Sequence, residues 1–197
     1  HTNEKIEETS LTSHEKPSIA VLPFDNMSGD SEQEYFSDGI TEDIITALSH
    51  LRWLNVIARN SSFTYKGQSP DIRQVADELN CRYVLEGSIR KAGNRVRINA
   101  QLLEGLSGNH IWAEKYDREL EDIFDLQDEI TEAVLGAIEP SLVLAEIERA
   151  KRKHPESMDA YDLFLQGLPG LYTFDIEKNT KSLDLLHKAI DIEPNYP

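Results

Sequence analysis

Between Cys81 and Leu102 the apolar side chains recur at every second position, and from Ile123 onward they recur at every third or fourth. A period of two belongs to strands and a period near 3.6 to helices, so the chain must build a sheet first and helices afterwards. Cys81, Tyr83, Leu85, Gly87 and Ile89 share one strand face. After the turn residues Ala92, Gly93 and Asn94, Val96, Ile98, Ala100 and Leu102 share another, which predicts a β-hairpin. A further run, His110 to Tyr116, follows the turn Gly105–Asn109 and predicts a third strand beside the hairpin.

Upstream, Pro17 opens the short apolar run Ser18–Phe24, closed by the turn-rich loop Asp25–Asp30, which reads as a buried strand and its exit. Ile40, Ile44, Ala47, Leu48 and Leu51 then fall at helical spacing, with Asp38, Glu42 and Asp43 near the start, where negative charge suits the helix dipole. Trp53–Ala58 supplies another strand, and Ile72, Val75, Ala76 and Leu79 another amphipathic helix. Five strands and two helices predict an α/β fold, a mixed five-stranded sheet with covering helices. From Ile123 a helical stripe runs through Leu126, Ile130, Val134, Ile138, Leu142 and Ala145 to about Lys153, with a kink or break expected at Pro140. A helical pair follows, Ala160–Gly167 and about Asn179–Ile192.

Acidic residues outnumber basic ones 36 to 20, a formal net charge of −16. The excess is uneven, 18 against 8 from Arg118 to Pro197 but 14 against 10 from Pro17 to Asp117. Such a field repels phosphate backbones and anionic bilayers, so nucleic acid and membrane insertion are not expected of this chain. No apolar run exceeds four residues, against the roughly 18 that a transmembrane helix needs. Cys81 is alone, which fits a reducing compartment and predicts a cytoplasmic location. The chain starts at His1 without Met or a signal-like segment and reads as a fragment.

Four stretches carry a family resemblance: Pro17–Phe24, Tyr35–Ile44, Arg82–Ser88 and Arg95–Ile98. They look like the TolB-like amino-terminal domain over about Lys16–Ala150. That domain is similar to ones ahead of tetratricopeptide repeats in bacterial class III adenylate or guanylate cyclases, and in winged-helix transcription regulators. Asn60–Gly67 and Leu120–Gln127 look most like the cyclase-linked group. In the last helical pair Ser182, Leu186, Ala189 and Pro194 resemble the second helix of a tetratricopeptide repeat. Gly167 lies three residues upstream of the first helix's small position, and Pro169-Gly170 departs from the pattern by weakening that helix's end.

The organisation expected is a disordered tail or linker over 1–16, a TolB-like α/β domain over 17–120, a long connecting helix over 121–154 and a partial tetratricopeptide-like repeat over 155–197. The resemblance implies a non-catalytic regulatory and protein-interaction region of a multidomain signalling protein, whose catalytic domain lies outside the chain.

No catalytic set is legible. There is no GxxxxGK[ST] or GxGxxG loop, the six histidines have no metal-ligand spacing, and Ser61 and Ser62 lack a nucleophile elbow, so no catalytic residue, cofactor or metal is assigned. Asp25, Asn26 and Arg59 leave two strands at what reads as one end, where α/β sheets place ligand crevices. The same residues also suit a turn and a surface ion pair. Arg90, Lys91, Arg95 and Arg97 cluster around the hairpin turn, either as a surface for an acidic partner or as a solvated strand face. Leu183, Leu186 and Ile190 form an apolar helix face, expected to bind a protein or peptide, the next repeat, or another copy. A homodimer seam along Ile123–Ala145 fits the spacing as well as intramolecular packing does, and Pro140 favours the latter.

Overall fold

Period-two alternation becomes three long strands in the computed structural model, which describes residues 16–153 and 158–194. The tail expected over 1–16 falls almost wholly outside the described residues. Strand β1 (Ser18–Val21) lies parallel between β3 (Asn55–Val56) and β4 (Tyr83–Ala92), with Ile19 opposite Tyr83 and Val21 opposite Leu85. Strands β5 (Arg95–Glu104) and β6 (His110–Glu119) continue antiparallel, for the order β3-β1-β4-β5-β6.

The sheet has six strands rather than five, because the loop after β1 begins with a two-residue strand, β2 (Asp25–Asn26), parallel to β4. The interruption between β1 and β2 has a steric origin. Phe24 turns inward over Gly87, where a Cβ would sit 2.4 Å from the Phe24 ring and 2.5 Å from the Asn99 carbonyl oxygen. The buried Phe24 N–H, diverted from the ladder, donates to Thr41 Oγ1 at 3.0 Å.

Helices α1 (Glu34–Ser49) and α4 (Ile123–Arg152) cover one sheet face. Phe36, Ile40, Ile44 and Leu48 of α1, and Leu126, Ile130, Val134, Ile138 and Leu142 of α4, join Leu85, Ile89, Ile98 and Leu102 in one core. The stripe of α4 is therefore packed within its own unit, which extends over Lys16–Arg149, past the boundary expected at residue 120. Gly39 belongs to this layer. Gln127 fills the space where its Cβ would be. Helix α4 is not broken at Pro140; Ser141 Oγ donates to the Ala137 carbonyl at 2.9 Å, next to the carbonyl that Pro140 leaves without its usual donor.

On the opposite sheet face, helix α3 (Ile72–Glu78) packs Val75 and Ala76 against Ala20, Leu22, Cys81 and Val84. Asp71 caps it, accepting from Arg73 N at 2.8 Å. A one-turn helix absent from the expectation, α2 (Arg59–Ser62), follows β3.

From Ala150 the chain forms a second unit, the hairpin of α5 (Ala160–Leu171) and α6 (Ile176–Ile192). Asp159 and Asp162 form a reciprocal capping box at the start of α5. Helix α5 runs past the expected Gly167, through Pro169 and Gly170, and ends at Leu171; Gly170 is a contact point with α6. A Cβ there would lie 1.9 Å from Ser182 Oγ, and one on Gly167 would lie 2.9 Å from Leu186. Ala160, Leu163 and Ala189 close the interface.

Candidate functional site

Strand alternation sends Leu85, Gly87 and Ile89 into the main core and Glu86, Ser88 and Arg90 to the other face. Across the hairpin their partners are Gln101, Asn99 and Arg97, and beyond these stand Ala113, Lys115 and Asp117. Helix α3 covers only the near part of this face. The remainder floors an open cleft of about 680 Å³, walled by Leu22, Pro23, Asp25 and Met27 on one side and Tyr65, Gln68, Ser69 and Pro70 on the other.

The cleft's polar groups are largely tied to one another. Gln101 Nε2 donates to Glu86, and Asn99 Nδ2 to Ser88 Oγ at 3.2 Å. Tyr65 donates its hydroxyl to Glu78, which raises the phenol to about 12 and lowers the Glu78 carboxyl below its usual range. At neutral pH this rim group is a committed donor, not a base. Among the described residues no group of three His, Cys, Asp or Glu side chains is placed to hold a metal.

The three crevice residues separate. Asp25 is exposed and lines the cleft. Asn26 serves the turn: its Nδ2 donates to Asp30 O at 2.7 Å and Glu34 Oε1 at 3.1 Å, and its Oδ1 accepts from Ser28 N at 3.0 Å. Arg59 does not line the cleft. Its Nε lies 3.2 Å from Glu42 Oε2, outside hydrogen-bond angles, and its guanidinium stacks 3.8 Å from the Phe63 ring centre.

The arginines come together. Arg90 stands opposite Arg97, and with Arg95 they surround a depression of about 200 Å³ shared with Asp117. Asp117 takes Arg97 with two hydrogen bonds, 2.7 and 3.2 Å, which lowers its carboxyl and raises the Arg97 guanidinium. Lys91 points to the other face, toward Gln33 Oε1 at 3.4 Å. In the hairpin, Leu183 and Ile190 are 44% and 55% exposed while Leu186 packs against the Gly167 position.

Sequence reasoning missed a buried carboxylate. Glu146 is fully buried, with Arg82 Nη1 at 2.8 and 2.7 Å from its two oxygens, Tyr83 OH at 2.5 Å, and Arg149 at 3.2 and 3.1 Å. Burial and the Glu146 charge push the Tyr83 phenol far up. The signal was present: Glu146 continues the i+4 row Leu126, Ile130, Val134, Ile138, Leu142, so an acid stands where the stripe requires burial.

The family model of the HilA/YgeH-like transcriptional regulator, second domain, matches residues 14–133, more than half of the chain and nearly all of the sheet unit. The chain belongs to this family. The HilA/YgeH-like match ends within α4 and does not reach the α5–α6 hairpin. The chain is also 54% identical over 179 residues, 91% of its length, to "Putative adenylate cyclase 3" of Rhizobium meliloti (strain 1021), and spans about 30% of that relative's length. Among solved structures, lipoprotein GNA1162 of Neisseria meningitidis is 19% identical, with 64% of this chain and 98% of that one covered and a TM-score of 0.46. TolB of Acinetobacter baumannii is 17% identical, with 63% and 28% covered and a TM-score of 0.44. At these scores the two structures carry no functional argument. Among the described residues no helix is long and apolar enough to cross a membrane.

Proposed function

We propose that the chain is a non-catalytic regulatory and protein-interaction region of a multidomain, cytoplasmic signalling protein of the adenylate cyclase type, whose catalytic domain lies outside it. The observation that carries this reading is the 54% identity to the adenylate cyclase relative, extending through both units of the chain yet covering only 30% of that protein. The cleft is consistent with it: Asp25, Glu86 and Glu114 supply carboxylates and Lys115 a cation, but the amides Asn99 and Gln101 already bond their neighbours across the strands. The α5–α6 hairpin acts as the first unit of a tetratricopeptide-like array and offers Leu183, Leu186 and Ile190 to a protein or peptide.

The test compares three polypeptides: the chain alone, the full reading frame that contains it, and that frame with residues 16–194 deleted. Each is incubated with ATP and a divalent metal, and cyclic AMP is measured. The chain alone yields no product, the full frame does, and the deletion shifts its rate. Product from the chain alone overturns the non-catalytic assignment.

Membership of the HilA/YgeH-like family favours a second reading, in which the same region serves a winged-helix transcription regulator. It wins if the full frame makes no cyclic AMP and instead retards a DNA fragment. A small-ligand sensor in the cleft is the third reading. A nucleotide or metabolite that raises the chain's melting temperature, with the gain abolished by Asp25→Ala, would establish it.

A further inference from the structure

Strand β6 ends the sheet, and among the described residues no other strand pairs with its outer main chain. Leu120 N donates to Asn94 O at 2.8 Å, so Leu120 faces β5. By alternation so do Arg118, Tyr116 and Glu114, opposite Val96, Ile98 and Ala100. Ala113, Lys115, Asp117 and Glu119 therefore direct their N–H and C=O groups outward. Among the described residues no main-chain acceptor takes those four N–H groups, and all four side chains are exposed. The Asp117 carbonyl accepts from Arg118 Nη1 at 3.0 Å.

We propose that β6 pairs antiparallel with β6 of a second copy of this chain, about a two-fold axis through Tyr116, joining the two sheets into one. Main-chain alternation restricts the pairing to registers that set outward residues against outward residues, and charge then selects among them. Centred on Tyr116, Lys115 meets Asp117 of the second copy and Glu114 meets Arg118. The two-fold repeats both, giving four attractive pairs and no like-charged one. Centring on Lys115 or on Asp117 sets two like charges on the axis, and centring on Arg118 adds Asp117 against Glu119. Among the registers centred on Glu114 to Arg118, the one on Tyr116 alone is free of like charges on the axis.

The same register also satisfies the backbone. Lys115 with Asp117, and Ala113 with Glu119, become hydrogen-bonded pairs. Tyr116, which uses its own groups on β5, falls at the non-hydrogen-bonded position where it needs none. The charged groups are already held in place: Arg97 grips Asp117, Glu129 takes Arg118 Nε at 2.5 Å, and Tyr116 donates to Glu114 at 3.1 Å. A carboxylate has lone pairs for a second cation, so Asp117 can accept Lys115 of the second copy without releasing Arg97. This seam is distinct from Ile123–Ala145, whose stripe Leu126, Ile130, Val134, Ile138 and Leu142 is buried within the sheet unit.

The test is sedimentation equilibrium on the full chain, with thermal unfolding as a check of folding. The wild type is expected to dimerise, more weakly at high salt. Lys115→Asp sets two acids opposite each other and Asp117→Lys two lysines, so each variant should lose affinity by about tenfold or more. Mixing the two variants restores both opposite-charge pairs and should recover a one-to-one heterodimer. Ala113→Pro removes one outward N–H without touching a charge, at an edge position where proline is tolerated, and should weaken the dimer while leaving the fold intact. A wild type that stays monomeric at about 100 μM, far above a micromolar Kd, overturns the proposal, and the edge is then kept free by its charges or taken by another protein's strand. So does a dimer that none of these variants weakens, which would place the contact elsewhere, for example on the Leu183–Ile190 face.

Discussion

The two faces of one sheet are built from the same strands and end in opposite states. Toward α1 and α4, Leu85, Ile89, Ile98 and Leu102 are dry, and even the missing side chain of Gly87 is filled by Phe24. One residue along each strand, Glu86, Ser88, Asn99, Gln101 and Lys115 floor an open polar cleft. Neighbours separated by a rise of about 3.3 Å along the strand thus live under different energetic rules. On the dry face shape decides. On the wet face water substitutes for nearly any lost partner, which leaves its residues free to serve recognition.

The comparison predicts its largest effects on the dry face. Gly87→Val places a Cβ against both the Phe24 ring and the Asn99 carbonyl, and main chain cannot step aside as a flexible side chain would. A loss of about 3 kcal/mol or more is expected in urea unfolding, or no folded protein at all. Ala100→Asn buries an amide without partners at a fully enclosed position and should cost about as much. A small loss at either site would mean that the sheet and the α1–α4 layer are loosely packed.

Glu146→Ala tests the buried carboxylate that α4 brings to Tyr83. Removing the carboxylate takes away the acceptor that Arg82, Arg149 and the Tyr83 phenol share. Both arginine side chains are about a quarter exposed, so water relieves part of the penalty. The loss should fall near the lower end for a broken buried pair, about 3 kcal/mol, with Glu146→Gln costing less because it keeps an acceptor for Tyr83. The check is the urea midpoint of the two variants side by side.

What was legible followed from periodicity. The α/β class, the β4–β5 hairpin and the α4 stripe all announce themselves through residues that recur at fixed intervals. What failed to show depended on two distant segments meeting. Phe24 breaks the first strand because Gly87, far along the chain, leaves a hole for it. Gly170, in the last turn of α5, is where Ser182 of α6 closes on the helix, a meeting that the sequence pattern of α5 alone does not show. The candidate site was legible only in part for the same reason: Asp25 reaches the cleft, Asn26 is consumed by its turn, and Arg59 turns to Glu42 and Phe63. The cleft floor is the polar half of the same alternation whose apolar half marks the core.

A middle-sized effect is expected where the wet face meets its partial cover. Asp71 caps α3 through Arg73 N, and α3 shields Val84 and Cys81. Asp71→Ala should cost about 1 kcal/mol, the usual value of a lost N-cap. It should also quicken reaction of the buried Cys81 thiol, which burial holds up at about 11 and so protonated and slow at neutral pH. A thiol-reagent time course reads this directly. Unchanged labelling with lowered stability would mean that α3 does not open separately from the rest of the unit.

The smallest effect belongs to Asn99, one residue from Ala100 and on the other face. Its amide bonds Ser88 Oγ at 3.2 Å at an exposed cross-strand site, where water replaces either partner at little cost. Asn has poor strand propensity, whereas Thr fits the pleat and keeps a hydroxyl within reach of Ser88. Asn99→Thr should therefore be neutral or stabilising, by up to about 0.5 kcal/mol, in the same urea assay in which Ala100→Asn is severe. Since the substitution removes a polar amide from the cleft floor without disturbing the fold, it also separates binding from stability: a ligand whose thermal stabilisation of the wild type disappears in Asn99→Thr must touch this face. A destabilisation above about 1 kcal/mol would break the comparison, because Asn99 would then be held as tightly as a core residue and the wet face would not be free of structural duty.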